Sequence, residues 1–272
     1  MSLEPPGANR GERAFARFAY PPSALGLCGP EGFETLLETS SIGSESDAGS
    51  GSVRELARGF EAAWPYLELI AAANEIVDPL DERVVEAYWV GNSLLDSVTE
   101  AALGDFLGRR LGLAFTPGAR PVGELVHPRA SPNHNFHVFS VYPWVALLRS
   151  SRSPEPLRIL EKCRIRWGQV AEVAGDQLRV LSQGLCWTGS SLHLGPPRSE
   201  TVAWRKKGYA LESVPTRGAW VALHWDWVCD VLERDQVGEL REHTAFELAA
   251  VNDTTSRQSR RAANVAQGAP AP

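Results

Sequence analysis

The hydrophobic and polar positions of this chain follow two different periods, and the change falls near the middle. Before residue 149, apolar residues recur every three or four positions, which is typical of helices that bury one face. One such stripe runs from Val53 to Ala71 and contains Pro65, where we expect a kink or a break. We therefore predict an all-helical N-terminal domain over residues 1–150, with a flexible Ser/Gly-rich loop at 39–52.

The second half begins after a polar, proline-containing stretch at 149–156 and reads as strands. The sequences CRIRWGQVAEV and QLRVLSQ alternate apolar and polar residues on either side of a Gly175-Asp176 turn, and WVALHWDWVCDVL supplies further strand. A helical stripe returns between Val237 and Val251. We predict an α+β fold, in which a small OB-like β-barrel with a C-terminal helix occupies 158–251 and a disordered tail occupies 252–272.

Composition and charge argue against several kinds of partner and against a secreted protein. The 272 residues are 43% hydrophobic with a net charge of -6, so we do not expect a nucleic-acid partner that needs a broad basic surface. Because no apolar stretch reaches the ~20 residues of a membrane span, we expect no membrane partner. The four cysteines form no CxxC pair, and the N-terminal stretch has no apolar core of signal-peptide length. We expect a cytoplasmic protein with reduced thiols.

Cys163 and His224 are the first candidate site residues. Cys163 is predicted to start a strand between Lys162 and Arg164, whose positive charges would lower the pKa of the thiol. In a strand, however, both basic side chains point to the opposite face, so a half-buried packing residue is the simpler explanation of Cys163. His224 ends an apolar strand, where a histidine serves as a metal ligand or proton carrier, or is satisfied by backbone groups.

A second candidate site is predicted in the helical half. His134 and His137 are three residues apart in SPNHNFHVFSVYPW, which on a helix places both rings on one face and suits a metal. Cys28, framed by proline and glycine in YPPSALGLCGP, is the obvious distant partner. These three residues either form the site of a metal-dependent or thiol enzyme or pack a loop against the helices. No phosphate-binding glycine loop and no GxSxG elbow occur.

The second half resembles the small hydrogenase assembly chaperones of the HypC/HupF family over about residues 162–250. Those proteins begin with a cysteine, then apolar residues, a glycine and a strand, and Cys163, Ile165, Gly168 and Val170 stand here in that order. A histidine-containing strand near their end, followed by an acidic helix, is similar to RGAWVALHWDWVCDVLERDQVGELREH. The family cysteine is nearly N-terminal, whereas Cys163 is internal.

The resemblance implies a role as well as a fold. It implies an OB-like barrel that helps to deliver an Fe(CN)2CO unit to the large subunit of nickel–iron hydrogenase, together with a scaffold protein that carries an iron–sulfur cluster. It assigns contact with the iron unit or the partner to Cys163 and a supporting role to His224. The whole chain also resembles uncharacterised, mostly actinobacterial proteins encoded near uptake-hydrogenase genes. This second resemblance is based on the stretches YPPSALGLCGP and HNFHVFSVYPW.

Three functions therefore stand as hypotheses. The first is an accessory protein or chaperone in nickel–iron hydrogenase maturation, which binds the large subunit, a maturation scaffold or the Fe(CN)2CO unit and has no tightly bound cofactor. The second is a metal-dependent or thiol enzyme that uses Cys28, His134 and His137. The third is a non-catalytic interaction module, in which every cysteine only packs.

Overall fold

The computed structural model describes residues 10–40, 50–113, 120–126, 130–150, 152–206, 209–211 and 214–266. Helices come first, a five-stranded sheet follows, and a long helix ends the described part. The predicted α+β class and order of elements are confirmed. Of the described helices, none is long and apolar enough to cross a membrane.

The first half is built from nine short helices in the described part. Their N-termini are capped by side chains where the sequence offers an acceptor: the Asp81 carboxylate accepts from the Arg83 amide, and the Thr99 hydroxyl accepts from the Ala102 amide. The expected break near Pro65 lies just before it, because one helix ends at Arg58 and the next starts at Ala63. The helices are α1 Arg10–Ala24, α2 Phe33–Thr39, α3 Ser50–Arg58, α4 Ala63–Ala73, α5 Glu82–Trp89, α6 Glu100–Asp105, α7 Val122–Leu125, α8 His134–Phe136 and α9 Trp144–Ser150, with a 3-10 turn at Ser93–Ser97 and π-helical turns at Phe106–Arg110 and His137–Val141.

The sheet of the second half closes on itself as a barrel, in the order β1-β2-β3-β7-β6. Neighbouring strands pair antiparallel except at the closure, where β3 and β7 meet in parallel through a single register pair, Ala203 and Trp227. The barrel is therefore closed unevenly. The strands are β1 Arg166–Ala174, β2 Gln177–Trp187, β3 Leu192–Ala203, β6 Trp220–His224 and β7 Trp227–Leu232, with a separate ribbon of β4 Arg205–Lys206 and β5 Tyr209–Ala210.

Cys163 ends a helix, so the prediction that it starts a strand is wrong. Helix α10 spans Glu155–Cys163, and β1 begins only at Arg166. Pro154 is the N-cap of the helix, and Pro156 stands in its first turn, where the fixed φ of proline suits a helix start. Near its end the Lys162 carbonyl accepts a hydrogen bond from the Trp225 amide at 2.7 Å, which satisfies one of the last helical acceptors from the barrel.

The two segments predicted to lack regular structure are partly helical. Helix α11 spans Arg234–Ala266, so residues 252–266 of the predicted tail are helical; no proline or glycine interrupts them, and the Asn252 side chain exchanges hydrogen bonds with the Leu192 backbone at 2.8 and 2.9 Å. Residues 267–272 lie outside the described residues. The predicted loop at 39–52 overlaps two helices, because α2 ends at Thr39 and α3 starts at Ser50. The central part of that loop, residues 41–49, also lies outside the described residues.

The predicted domains share one hydrophobic core. Phe18 of α1 and Trp89 of α5 belong to the same buried cluster as Trp167 of β1 and Trp227 of β7. An ion pair of 2.6 Å between Arg17 of α1 and Asp230 of β7 spans the same boundary. Consequently, the helical half and the barrel pack as one unit, and side chains from both halves meet at their junction.

Candidate metal centre

A cavity of about 320 Å³ lies at this junction, and all five candidate residues line it. The sequence predicted two separate sites, because the residues come from distant segments of different periodicity. The fold instead brings them to one place. The five residues are Cys28, His134, His137, Cys163 and His224.

Three of them form a compact group of potential ligands. One ligand atom from each of His134, Cys163 and His224 lies within 4.8 Å of the other two. Each residue comes from a different element, since His134 starts α8, Cys163 ends α10 and His224 ends β6. A cysteine with two histidines is a nitrogen–sulfur donor set that suits zinc, iron or copper rather than calcium or magnesium.

His224 is held in the orientation of a metal ligand. Its Nδ1 lies 2.8 Å from the Phe18 carbonyl of α1, and because a carbonyl only accepts, Nδ1 carries the proton. Nε2 therefore keeps a lone pair. Nε2 is buried and has no hydrogen-bond partner among the described residues. A backbone carbonyl that fixes one ring nitrogen and leaves the other free is a common arrangement around metal-binding histidines.

His134 is oriented by a second backbone carbonyl. Asn133 caps α8, and Nε2 of His134 donates to the Cys163 carbonyl at 2.8 Å. Nδ1 is therefore the acceptor nitrogen, and the Tyr88 hydroxyl lies 3.3 Å from it. The same hydrogen bond ties α8 to the end of α10, so it positions the ring of His134 and the backbone of Cys163 together.

A strained turn places His224 beside Cys163. Trp225, between β6 and β7, has a φ of 54°, which is uncommon for a residue other than glycine and costs backbone energy. Two hydrogen bonds of 2.7 Å hold it there, from its amide to the Lys162 carbonyl and from the Arg166 side chain to its carbonyl. The turn is thus bonded to Lys162 and Arg166, which lie on either side of Cys163 in the sequence.

The basic neighbours of Cys163 are paired with carboxylates. Arg164 pairs with Glu161 and Arg166 pairs with Glu200, each at 3.0 Å, and both arginines are fully buried. Burial raises the pKa of Cys163 to about 12, and the neighbouring Cys28 adds to the shift. Burial also raises the pKa of Cys28. Both thiols are protonated at neutral pH, and a bound metal would displace that proton from Cys163.

The histidines of the cavity are neutral. Burial lowers the pKa of His134 to about 4 and that of His137 to about 3, and it holds the pKa of His224 well below its ordinary value. No imidazolium therefore stabilises a thiolate here, which removes the usual activation of a catalytic cysteine. Neutral imidazoles are the form that binds metals, so the same burial favours a metal site.

The stability of the metal-free protein is expected to fall as the pH drops from about 6.5 to about 4. In that range the unfolded chain binds a proton at residue 134 that the folded chain does not, at a cost on the order of 3 kcal/mol when the pH reaches 4. Glu247, whose pKa burial raises to about 7, acts in the opposite direction, but His137, whose pKa burial lowers to about 3, adds to the fall, so stability still decreases. Urea unfolding at neutral and acidic pH checks this, with His134→Gln expected to flatten the dependence; an equal slope in both proteins contradicts it.

His137 and Cys28 lie at the edge of this site. His137 is in a π-helical turn, a feature frequent at functional sites, and its Nδ1 lies 3.0 Å from the Tyr66 hydroxyl. Its Nε2 is buried without a partner in the part of the chain that the structure describes. Both residues, with Tyr142, also line a neighbouring cavity of about 820 Å³. They therefore stand where the two cavities adjoin.

The aromatic wall of the cavity was missed by the sequence reasoning. Trp89 packs its ring 4.7 Å from that of His134 and 5.7 Å from that of His224, and Tyr88, Tyr142 and Trp225 also line the space. The available signal was the high tryptophan content, nine residues in the chain, with one directly after His224. Periodicity alone does not separate such residues from ordinary core.

Comparison with known proteins identifies a family whose function is unknown. The model of DUF6390, a family of unknown function, matches residues 7–258, which include every residue of the candidate site. No curated protein and no solved structure gives a significant match to the chain.

Proposed function

We propose that this chain, which belongs to the DUF6390 family, is an accessory protein in nickel–iron hydrogenase maturation that holds an Fe(CN)2CO unit as transient cargo. The observation that carries the proposal is the close group of His134, Cys163 and His224. The resemblance to the assembly chaperones assigns the iron unit to Cys163 and His224, and these are two of the three grouped residues. His134, from the helical half, is the added ligand.

The donor set fits such a cargo. A thiol and neutral imidazoles are soft to borderline ligands, which suit a low-spin iron better than carboxylates do. The lone pair on Nε2 of His224 is already free of any hydrogen bond to described residues. The cavity of about 320 Å³ exceeds by far the ~30 Å³ of a water molecule, so it accommodates a metal that carries small ligands.

The number of ligands also favours a transient occupant. A structural zinc site is closed by four protein ligands, whereas the described residues bring three together. The remaining coordination positions stay available to non-protein ligands or to a partner. Cys28 lines the same cavity outside the group of three. In this proposal it takes part in transfer to the partner, which is the large subunit or the maturation scaffold.

A metal-dependent enzyme is the second candidate function. The neighbouring cavity of about 820 Å³ favours it. That cavity shares Cys28 and His137 with the cavity of the ligand group, and it has room for an organic substrate. In this case the metal would be resident, and Cys28 and His137 would face the substrate.

Co²⁺ is expected to bind the metal-free protein at one ion per chain, with an absorption band from sulfur-to-metal charge transfer. His224→Ala should weaken binding by about 100-fold or more, because it removes a ligand. His193→Ala is the matched control, since His193 lies on β3 and is not a member of the ligand group. Absence of Co²⁺ binding, or equal weakening by both substitutions, contradicts the site.

Analysis of the metal and ligands in the purified protein then distinguishes the candidate functions. When it is purified from cells that also make the hydrogenase maturation proteins, infrared bands of metal-bound cyanide and carbon monoxide support the accessory role. A resident metal without those ligands supports the enzyme. If neither metal nor cargo is found, and Co²⁺ does not bind, the non-catalytic interaction module is the remaining hypothesis.

A further inference from the structure

Two buried indole groups beside the ligand group have no hydrogen-bond partner in the described part of the chain. Trp89 and Trp225 line the cavity and are 4% and 6% exposed. The Nε1 atom of each is buried, and no described residue accepts a hydrogen bond from it. An indole N–H donates and never accepts, so each of these groups needs an acceptor to offset its burial.

Two other buried indoles of the chain are satisfied. Nε1 of Trp64 donates to the Glu68 carboxylate at 2.7 Å, and Nε1 of Trp204 donates to the Gly175 carbonyl at 3.0 Å. The fold therefore provides an acceptor for each of these two indoles, which lie outside the cavity. The two unsatisfied indoles share one cavity, which points to an occupant of that cavity as their acceptor.

Both tryptophans are placed close to the metal ligands. Trp89 packs its ring against those of His134 and His224, at centroid distances of 4.7 and 5.7 Å. Trp225 follows His224 directly and is held at a positive φ by two hydrogen bonds. A residue kept in a strained conformation next to a candidate ligand is a feature of functional sites rather than of ordinary packing.

We propose that Trp89 and Trp225 recognise the non-protein ligands of the bound metal by donating hydrogen bonds to them. This inference rests on the proposed metal site. The occupant would be a metal that carries small anionic ligands with exposed acceptor atoms, and the cavity would prefer it to a bare cation. A cyanide bound to iron through carbon presents such an acceptor nitrogen, so the proposed cargo belongs to this class. Cys163, His134 and His224 hold the metal, and the two indoles select its ligands.

The test uses azide as the anionic ligand and Co²⁺ as the metal. Azide is titrated into the Co²⁺-loaded protein while the visible spectrum is followed. We expect Trp225→Phe and Trp89→Phe each to weaken azide binding by about tenfold, the effect of losing one good hydrogen bond, while Co²⁺ affinity changes much less. Trp204→Phe is the matched control, since it also loses an indole hydrogen bond, but outside the cavity, and it should change neither affinity.

A second measurement needs no variant, in case a substitution disturbs folding. In the Zn²⁺-loaded protein, azide should shift the indole N–H resonances of Trp89 and Trp225 and leave that of Trp204 in place. Unchanged azide affinity in both variants, or unmoved resonances, overturns the recognition role while the metal site stands. Failure of Co²⁺ and Zn²⁺ to bind overturns the proposed function and the inference with it.

Discussion

Cys163→Ser is expected to abolish metal binding and, in a host whose hydrogenase depends on this protein, hydrogenase activity. A serine hydroxyl is a poor ligand for a soft metal and does not ionise near neutral pH, so Co²⁺ affinity should fall by more than about 100-fold. The sulfur-to-metal charge-transfer band should disappear, because Cys163 supplies the sulfur of the ligand group. Metal titration and the hydrogenase activity and nickel–iron content of the host measure these effects.

Cys186→Ser is the matched control for this experiment. Cys186 is also a partly buried free cysteine, but it lies on β2 opposite His193 of β3 and outside the ligand group. The control should bind metal and support hydrogenase activity as the parent protein does. If Cys163→Ser retains both metal and activity, the proposed handling of the iron unit is wrong. If metal is lost while hydrogenase activity is normal, the metal site stands and the maturation role does not.

Glu161→Ala is expected to produce the largest loss of stability among the substitutions considered. Glu161 is 5% exposed and accepts hydrogen bonds from Arg164 at 3.0 Å, from the Leu185 amide at 2.8 Å and from Arg198 at 3.2 Å. Its removal leaves Arg164, which is fully buried, without that carboxylate. Breaking a buried ion pair from one side costs about 3–5 kcal/mol in the free energy of unfolding, which urea denaturation measures.

Glu172→Ala provides the comparison, because Glu172 pairs with Arg179 on the exposed side of β1 and β2 and contributes little. Glu161 lies two residues before Cys163 and joins α10 to β2. The Glu161 variant should therefore also bind Co²⁺ more weakly than the Glu172 variant, in protein that is still folded. A loss of less than about 1 kcal/mol would show that the buried network does not depend on this carboxylate.

The candidate site shows where sequence reasoning stops. His134 and His137 are marked by their spacing, Cys28 by its rigid turn, and Cys163 and His224 by a resemblance. Their convergence depends on α10 and on the Trp225 turn, which are distant in the sequence but joined by a hydrogen bond. The local pattern at Cys163 predicts a strand wrongly because an alternating stretch directly follows the helix, and periodicity does not locate such a boundary to within a few residues.

The charges near Cys163 are a second feature that the local sequence does not predict correctly. In the sequence, Lys162, Arg164 and Arg166 surround the thiol and invite the idea of an activated cysteine. In the structure these side chains pair with Glu161, Glu200 and Asp226, and burial raises the pKa of the thiol instead. Whether a charge acts on its sequence neighbour depends on the direction of the side chain and on its partners, and both are properties of the tertiary structure.

The order of elements was determined by the sequence alone: helices first, then a small barrel, then a closing helix. The reason is local, since hydrophobic period, caps and turn residues act over a few positions. Tertiary structure alone decided that both halves share a core, that two predicted sites form one cavity, and that its thiols and imidazoles are neutral. These features depend on long-range packing and desolvation, which arise only when distant segments are brought together and water is excluded.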